Sequence, residues 1–289
     1  MDALPPRPPS KPALRRGVLG VCVIHELDLR PEYDAVVLEG TPELRVPWRW
    51  LRRAVEGAEP ESELGQARLA QVLLTTRAAA DLGPLGLQLT ARPFAIAFDH
   101  PVHPGSSWVQ KRVLGGALDV GLGFVGLDAF DPDRVIPVPT CAFDMLGVDT
   151  SEWWPEAEEY LEDMGAMAAL RWRRTPDVPL RPMGDCDVVT LLASQVFRTA
   201  LAGPSCGGMR ALAVPMRSRG WLDLTRIDPA FVVAAAELTN HKERGFRRPL
   251  LVTADEVVQA IEGGDPAEIV LRDPAARTPH VRDVLYHSS

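Results

Sequence analysis

Lysine is nearly absent from this chain: of its 31 basic residues only Lys11, Lys111 and Lys242 are lysines, and arginine supplies the rest. Ala, Pro, Gly and Leu are abundant, a bias that follows GC-rich codons and predicts a GC-rich bacterial source. Positive charge is short as well. The formal net charge is −8 and the isoelectric point lies near 5.3. A broad grip on phosphate backbones needs clustered cations, so no nucleic acid is expected as partner. The cysteines are Cys22, Cys141, Cys186 and Cys206, with no C-x-x-C pair. That is too sparse for a disulfide framework and fits a reducing cytoplasm. No apolar run approaches the ~20 residues needed to cross a bilayer, so no membrane partner is expected.

Arg15 and Arg16 followed by GVLGVCVI imitate the start of a signal peptide. The apolar run stops after eight residues, at His25 and Glu26, without a small-residue cleavage site, and it reads as a first strand instead.

What the chain does contain is an ordinary globular balance, 46% hydrophobic and 24% charged over 289 residues. This length suits one large domain or two small ones. Residues 1–13 carry Pro5, Pro6, Pro8, Pro9 and Pro12 and read as a polyproline-like arm, a segment of the kind that docks into aromatic grooves. Residues 14–289 read as a single globular domain with a possible subdivision near residue 150.

Periodicity predicts strands at 17–24 and 34–39 and helices near 47–57 and 62–81, the latter stopped by Gly83 and Pro84. Residues 85–98 give strand signal and 112–130 a strand or hairpin. A proline-bearing edge segment follows at 134–139. The strongest helix signal spans 152–174. Acidic residues crowd its start and Arg171, Arg173 and Arg174 its end, around an apolar stripe of Ala157, Leu161, Met164, Ala168 and Trp172. Beyond it come one helix at 188–202, a strand at 208–216 and a helix from Asp228 to Asn240. The tail reads as a strand at PLLV, a capping box of Thr253 with Glu256 opening a helix closed by Gly263, and a strand at 268–271. Helices interleave with strands, so the class is α/β or α+β with a mixed sheet.

Three motifs match a pattern and miss its context. GLGFVG at 121–126 has dinucleotide-fingerprint spacing, but Asp131 and Pro132 follow where a helix is required. GPSCG at 203–207 matches the nucleophile elbow in letters, yet it lies between a helix and a strand, the reverse of the required order. Cys206 there is expected to be more accessible than Cys22 without being activated. Asp185 and Asp187 resemble an Mg²⁺-holding pair but suit the capping of a following helix.

The one constellation with chemistry in reach is FDHPVHPGSSW at 98–108, which follows the apolar run PFAIA. Asp99, His100 and His103 would sit at the carboxyl end of that strand. His25 and Glu26 would sit at the end of the strand at 17–24. Were the two strands parallel neighbours, these five residues would converge on the sheet edge where α/β proteins place ligands. Imidazoles and carboxylates suit Zn²⁺, Mn²⁺ or Fe²⁺, which would activate a water for hydrolysis with a spare carboxylate as base. The competing reading makes HPVHPG a rigid proline turn capped by Asp99.

Because no motif fits its context, the sequence points first to a non-catalytic protein that binds another protein or self-associates. Its candidate contacts are the arm and a Trp-bearing surface. Trp48 and Trp50 lie two apart in VPWRWLRR and cannot share a helix face, so one of them is expected to be exposed. The alternative is a metal-dependent hydrolase at the strand ends.

Overall fold

The computed structural model describes residues 11–113, 116–128, 131–174, 179–203, 208–222, 243–246, 249–255, 257–261 and 270–271. Among them are seven α-helices and three antiparallel sheets, which selects α+β from the two expected classes. The chain divides into two compact units. The first comprises Met1–Arg92, Pro104–Trp108 and Leu122–Trp154; the second comprises Pro93–His103, Val109–Gly121 and Pro155–Ser289. Residues 1–10 of the expected arm and the expected helix from Asp228 to Asn240 lie outside the described residues, whereas residues 11–13, expected in the arm, are helical.

The first unit opens on a helix, α1 (Lys11–Ile24), where a strand was expected. Its buried residues are Ala13, Leu14, Gly17, Val18, Val21 and Cys22, in pairs three to four apart, which is helical and not alternating spacing. GVLGVCVI alone is too short and too β-branched to show this period, which emerges only when KPALRR upstream is counted in the same element. Pro12 falls in the first turn, where its missing N–H costs nothing. Gly17 lets the helix approach the loop before α3 (Glu63–Thr90), because a β-carbon at Gly17 would lie 2.6 Å from the Pro60 carbonyl oxygen.

A meander of β1 (Leu29–Pro31), β2 (Ala35–Leu38) and β3 (Leu44–Pro47) pairs antiparallel in that order. All of β2 is buried. It shares a core with α1, with α2 (Trp48–Ala54) and with the first half of α3, through Leu14, Val18, Val36, Leu38, Leu51, Leu69 and Leu73. Trp48 and Trp50 are both half-buried against this core, and the Trp48 indole N–H donates to the Glu32 carbonyl at 3.1 Å. Neither tryptophan is the exposed contact the sequence suggested.

The side chain of Ser62 caps α3 by accepting from the Gly65 N–H at 3.1 Å. At Gly83 the backbone leaves helical space (φ 71°, ψ 171°), and Pro84 restarts it, so the expected stop is a kink and residues up to Thr90 are helical again. Strand β4 therefore begins only at Ala91 and ends at Ala97. Its sheet has the order β4, β6 (Leu118–Phe124), β5 (Lys111–Val113), with β7 (Ile136–Pro137) paired to β6. Helix α4 (Thr140–Leu146), which the sequence did not signal, follows Pro139 and stops at Gly147 in the left-handed region.

In the second unit α5 (Trp154–Arg174) matches its expectation and buries Ala157, Leu161, Gly165, Ala168 and Ala169. The single helix expected over 188–202 is two, α6 (Val188–Leu191) and α7 (Gln195–Leu201). Ser194 separates them by capping the Phe197 N–H at 3.2 Å while its hydroxyl donates to Glu162 at 2.7 Å. Strands β8 (Met209–Met216), β9 (Arg219–Trp221), β10 (Leu250–Thr253), β11 (Val257–Ile261) and β12 (Val270–Leu271) form a sheet in the order β12, β11, β10, β8, β9. The helix expected after Thr253 is thus a hairpin, with Val252 opposite Val257. The Thr253 hydroxyl accepts from the Asp255 N–H at 3.2 Å and serves the turn instead of a helix cap.

A closed polar ring ties this unit together. Buried Arg217 donates to Asp187 at 2.6 Å and to the Ala95 carbonyl at 2.7 Å, and its guanidinium lies 4.1 Å from the centre of the Phe94 ring. Asp187 in turn caps the Thr190 N–H at 2.8 Å, and the Thr190 hydroxyl accepts from the Ala95 N–H at 3.2 Å. Both backbone groups of Ala95 are so consumed, which protects part of the free edge of β4.

The α1 packing makes a prediction opposite to helix propensity. Alanine is preferred over glycine inside a helix by about 1 kcal/mol, so in a solvated helix Gly17→Ala would stabilise. The added methyl meets Pro60 here, and we expect Gly17→Ala to lower the denaturation midpoint; a rise would contradict the packing of α1 on this loop.

Candidate functional site

The stretch FDHPVHPG leaves β4 as a tight turn. Within the second unit, the Phe98 N–H donates to the Ala117 carbonyl at 3.2 Å, the His100 N–H to the Ala97 carbonyl at 3.0 Å, and the His103 N–H to the His100 carbonyl at 3.1 Å. The His100 side chain is buried, and its Nδ1 accepts from the Val102 N–H at 3.3 Å. Pro101 and Pro104 fix φ on either side, so the path of the turn is set before any ligand arrives.

His103 faces the β5–β6 hairpin. Its Nε2 lies 3.2 Å from a carboxylate oxygen of Asp119, a β6 residue whose side chain is only 2% exposed. The same carboxylate takes a two-pronged contact from Arg112 on β5, at 2.5 Å from Nε and 2.8 Å from Nη2. Arg112 and Asp119 are direct cross-strand partners. A buried carboxylate needs a cation or several donors, and Arg112 supplies a fork that matches it. With that charge answered, His103 is not required as a cation. Burial drives its pKa below the ordinary imidazole value, against the raising effect of Asp119, and Arg112 lowers it further. At neutral pH the imidazole is therefore neutral and bridges the turn to the hairpin.

The five residues singled out from the sequence separate into different settings. Asp99 is exposed beside this network, His100 and His103 are in it, and the premise that placed His25 and Glu26 at a strand end falls because residues 17–24 are helical. Among the described residues no group of three or more His, Cys, Asp or Glu side chains is placed to hold a metal ion. Asp119 and Arg112 were missed, although a signal existed. KRVLGGALD has Gly115 and Gly116 at its centre, and folding it there sets Arg112 opposite Asp119.

His25 and Glu26 instead end α1. The Leu27 N–H donates to the Cys22 carbonyl at 2.8 Å across Glu26, whose φ of 54° is the only positive value at a described non-glycine residue. This is the Schellman arrangement with glutamate where glycine is usual. Just before that end, Leu19, Val23 and Ile24 are 54%, 70% and 64% exposed. Leu19 and Val23 lie one turn apart on the outer face, so they make a short apolar stripe that faces solvent.

The thiols do not compete with these features. Cys22 and Cys141 are buried, and burial pushes both up to about 11. Ser205 and Cys206 of GPSCG lie outside the described residues. Residues Gly121 to Phe124 of GLGFVG belong to β6, and a turn follows in place of a helix. Asp187 caps α6 as its position suggested. No helix among the described residues is long and apolar enough to cross a membrane. Comparison with protein-family models, curated proteins and solved structures finds no match to this chain.

The depressed pKa of His103 fixes the sign of its pH dependence. The unfolded imidazole, near 6.5, takes up a proton before the folded one. The contribution of His103 to stability is thus complete above about pH 6.5 and is lost as pH falls through the folded value. We expect His103→Ala to cost about 1–2 kcal/mol at pH 7 and to flatten the loss of stability as pH falls below about 6.5. Stoichiometric Zn²⁺ or Mn²⁺ uptake by the parent chain that disappears in this variant would contradict the structural role.

Proposed function

We propose that the chain acts by binding another protein chain through the outer face of α1. The observation that carries this reading is the exposure of Leu19, Val23 and Ile24 on a helix whose inner face is fully committed to the core. Isolated apolar side chains on a surface are ordinary, but Leu19 and Val23 stand one turn apart on the outer face and form a stripe, with Ile24 exposed at the helix end beside it. Burying a side chain of this kind completely is worth about 1.5–3 kcal/mol, which supplies a driving force for association against its entropic cost. The other exposed residues of the helix are Lys11, Pro12, Arg15 and Arg16, so the stripe has a polar border at one end. The proline-rich residues 1–10 lead directly into this helix in the sequence.

A photoreactive side chain at Val23, compared with one at Tyr33, tests the reading, since Tyr33 is 93% exposed but lies outside α1. In the cells that naturally make this protein, we expect a discrete protein adduct from position 23 that is absent from position 33 and lost when Leu19→Glu is added. No adduct from position 23, or one indifferent to Leu19→Glu, would contradict it.

A further inference from the structure

Resting on the reading of α1 as a contact face, we propose that its occupant is a second copy of this chain, with the two α1 helices antiparallel about a two-fold axis at Leu19. The charges on and beside the helix carry the inference. Exposed Lys11 and Arg15 lie in its first two turns, and exposed Glu26 and Asp28 follow its last. The helix has no acidic residue in its first turn and no basic residue in its last. Each charge therefore sits at the end of the helix dipole that disfavours it. An antiparallel second copy reverses that relation at both ends at once: it brings carboxylates to the positive end of each helix and cations to the negative end.

The spacing fits the same axis. At 1.5 Å per residue, Lys11 lies about 12 Å before Leu19 and the last helical residue, Ile24, about 7.5 Å after it, with Glu26 in the turn just beyond, so two-fold symmetry brings the basic end of each helix to the acidic end of the other. Arg15 and Val23 are each about 6 Å from Leu19, which lays the aliphatic stem of one Arg15 along the partner's Val23 while its guanidinium stays 5.8 Å from the centre of its own Trp48 ring. Arg16 stands apart from this exchange because Glu61 already holds it at 2.8 and 2.9 Å.

Glu26 closes α1 in a left-handed turn. Its φ of 54° is a conformation glycine adopts freely and other residues adopt at a cost, yet a carboxylate occupies it. Facing the first turn of a second α1, that carboxylate meets Lys11.

One helix face is small beside the ~1,600 Å² of a standard interface, so the association is reversible and micromolar or weaker. Sedimentation equilibrium of the full chain at low salt, from about 1 μM to about 1 mM, reads it directly. Lys11→Glu and Glu26→Lys should each raise the dissociation constant at least about tenfold, since each replaces two symmetry-related attractions with repulsions. The double variant should return to within about threefold of the parent, and melting of each variant at low concentration verifies its fold. A parent that stays monomeric to about 1 mM would overturn the self-pairing. A dimer indifferent to both substitutions, or a double variant no better than the singles, would overturn it equally. The two readings fail separately: a monomeric parent whose Val23 adduct is a different protein refutes the second copy and leaves the contact face standing, whereas a parent that gives no adduct from position 23 and stays monomeric removes both.

Discussion

The closeness of Gly17 to Pro60 is the constraint on which the first unit depends. Without a side chain at Gly17, α1 settles against the loop that leads into α3, and Leu14, Val18, Val21 and Cys22 enter the core beside Val36, Leu38 and Leu73. Gly65 repeats the device on α3, where a β-carbon would run into the Glu59 carbonyl. Once this face is buried, the remaining geometry of α1 follows. Its outer residues must face solvent, and its end must turn sharply enough to deliver Leu29 to β1, which the left-handed Glu26 achieves. The exposed stripe and the strained carboxylate are two results of one packing decision.

The second unit relies on polar closure more than on glycine. Arg217, Asp187, Thr190 and Ala95 hydrogen-bond to one another in a ring that gives the buried guanidinium a carboxylate and a carbonyl. Removing Asp187 would strand the buried guanidinium, which costs several kcal/mol where a matched pair contributes little net. Asp119 follows the same rule on a smaller scale, with Arg112 as its cation and His103 as its neutral neighbour. The histidine turn is accordingly an anchor for a hairpin, and its chemistry is spent on holding the fold.

Long elements with a full period were legible in the sequence. Helix α5 could be read from Glu156 to Arg174 because its stripe and its end charges agree, and β2, β8 and β10 could be read from their apolar runs. The misreadings share a cause. GVLGVCVI and the stretch after Pro84 are short apolar segments whose type depends on what lies beside them, and only the tertiary packing supplies that. Thr253 carried a correct local signal for a helix cap, but the pairing of Val252 with Val257 outweighed it. The candidate site was half legible: His103 was visible as a ligand-type residue, while its partner Asp119 needed the register of the β5–β6 hairpin. The face of α1 was hidden entirely, because a strand reading assigns Leu19, Val21 and Val23 to one side.

That last difference gives the most direct test of the account. Cysteine introduced singly at Leu19, Val21 and Val23, and labelled under dilute native conditions with peptide-mass readout, distinguishes the two geometries by the behaviour of position 21. A packed α1 predicts fast labelling at 19 and 23 and strong protection at 21, where Val21 is 1% exposed. Equal reactivity at all three positions would contradict the helix, and with it the contact face built on its outer side.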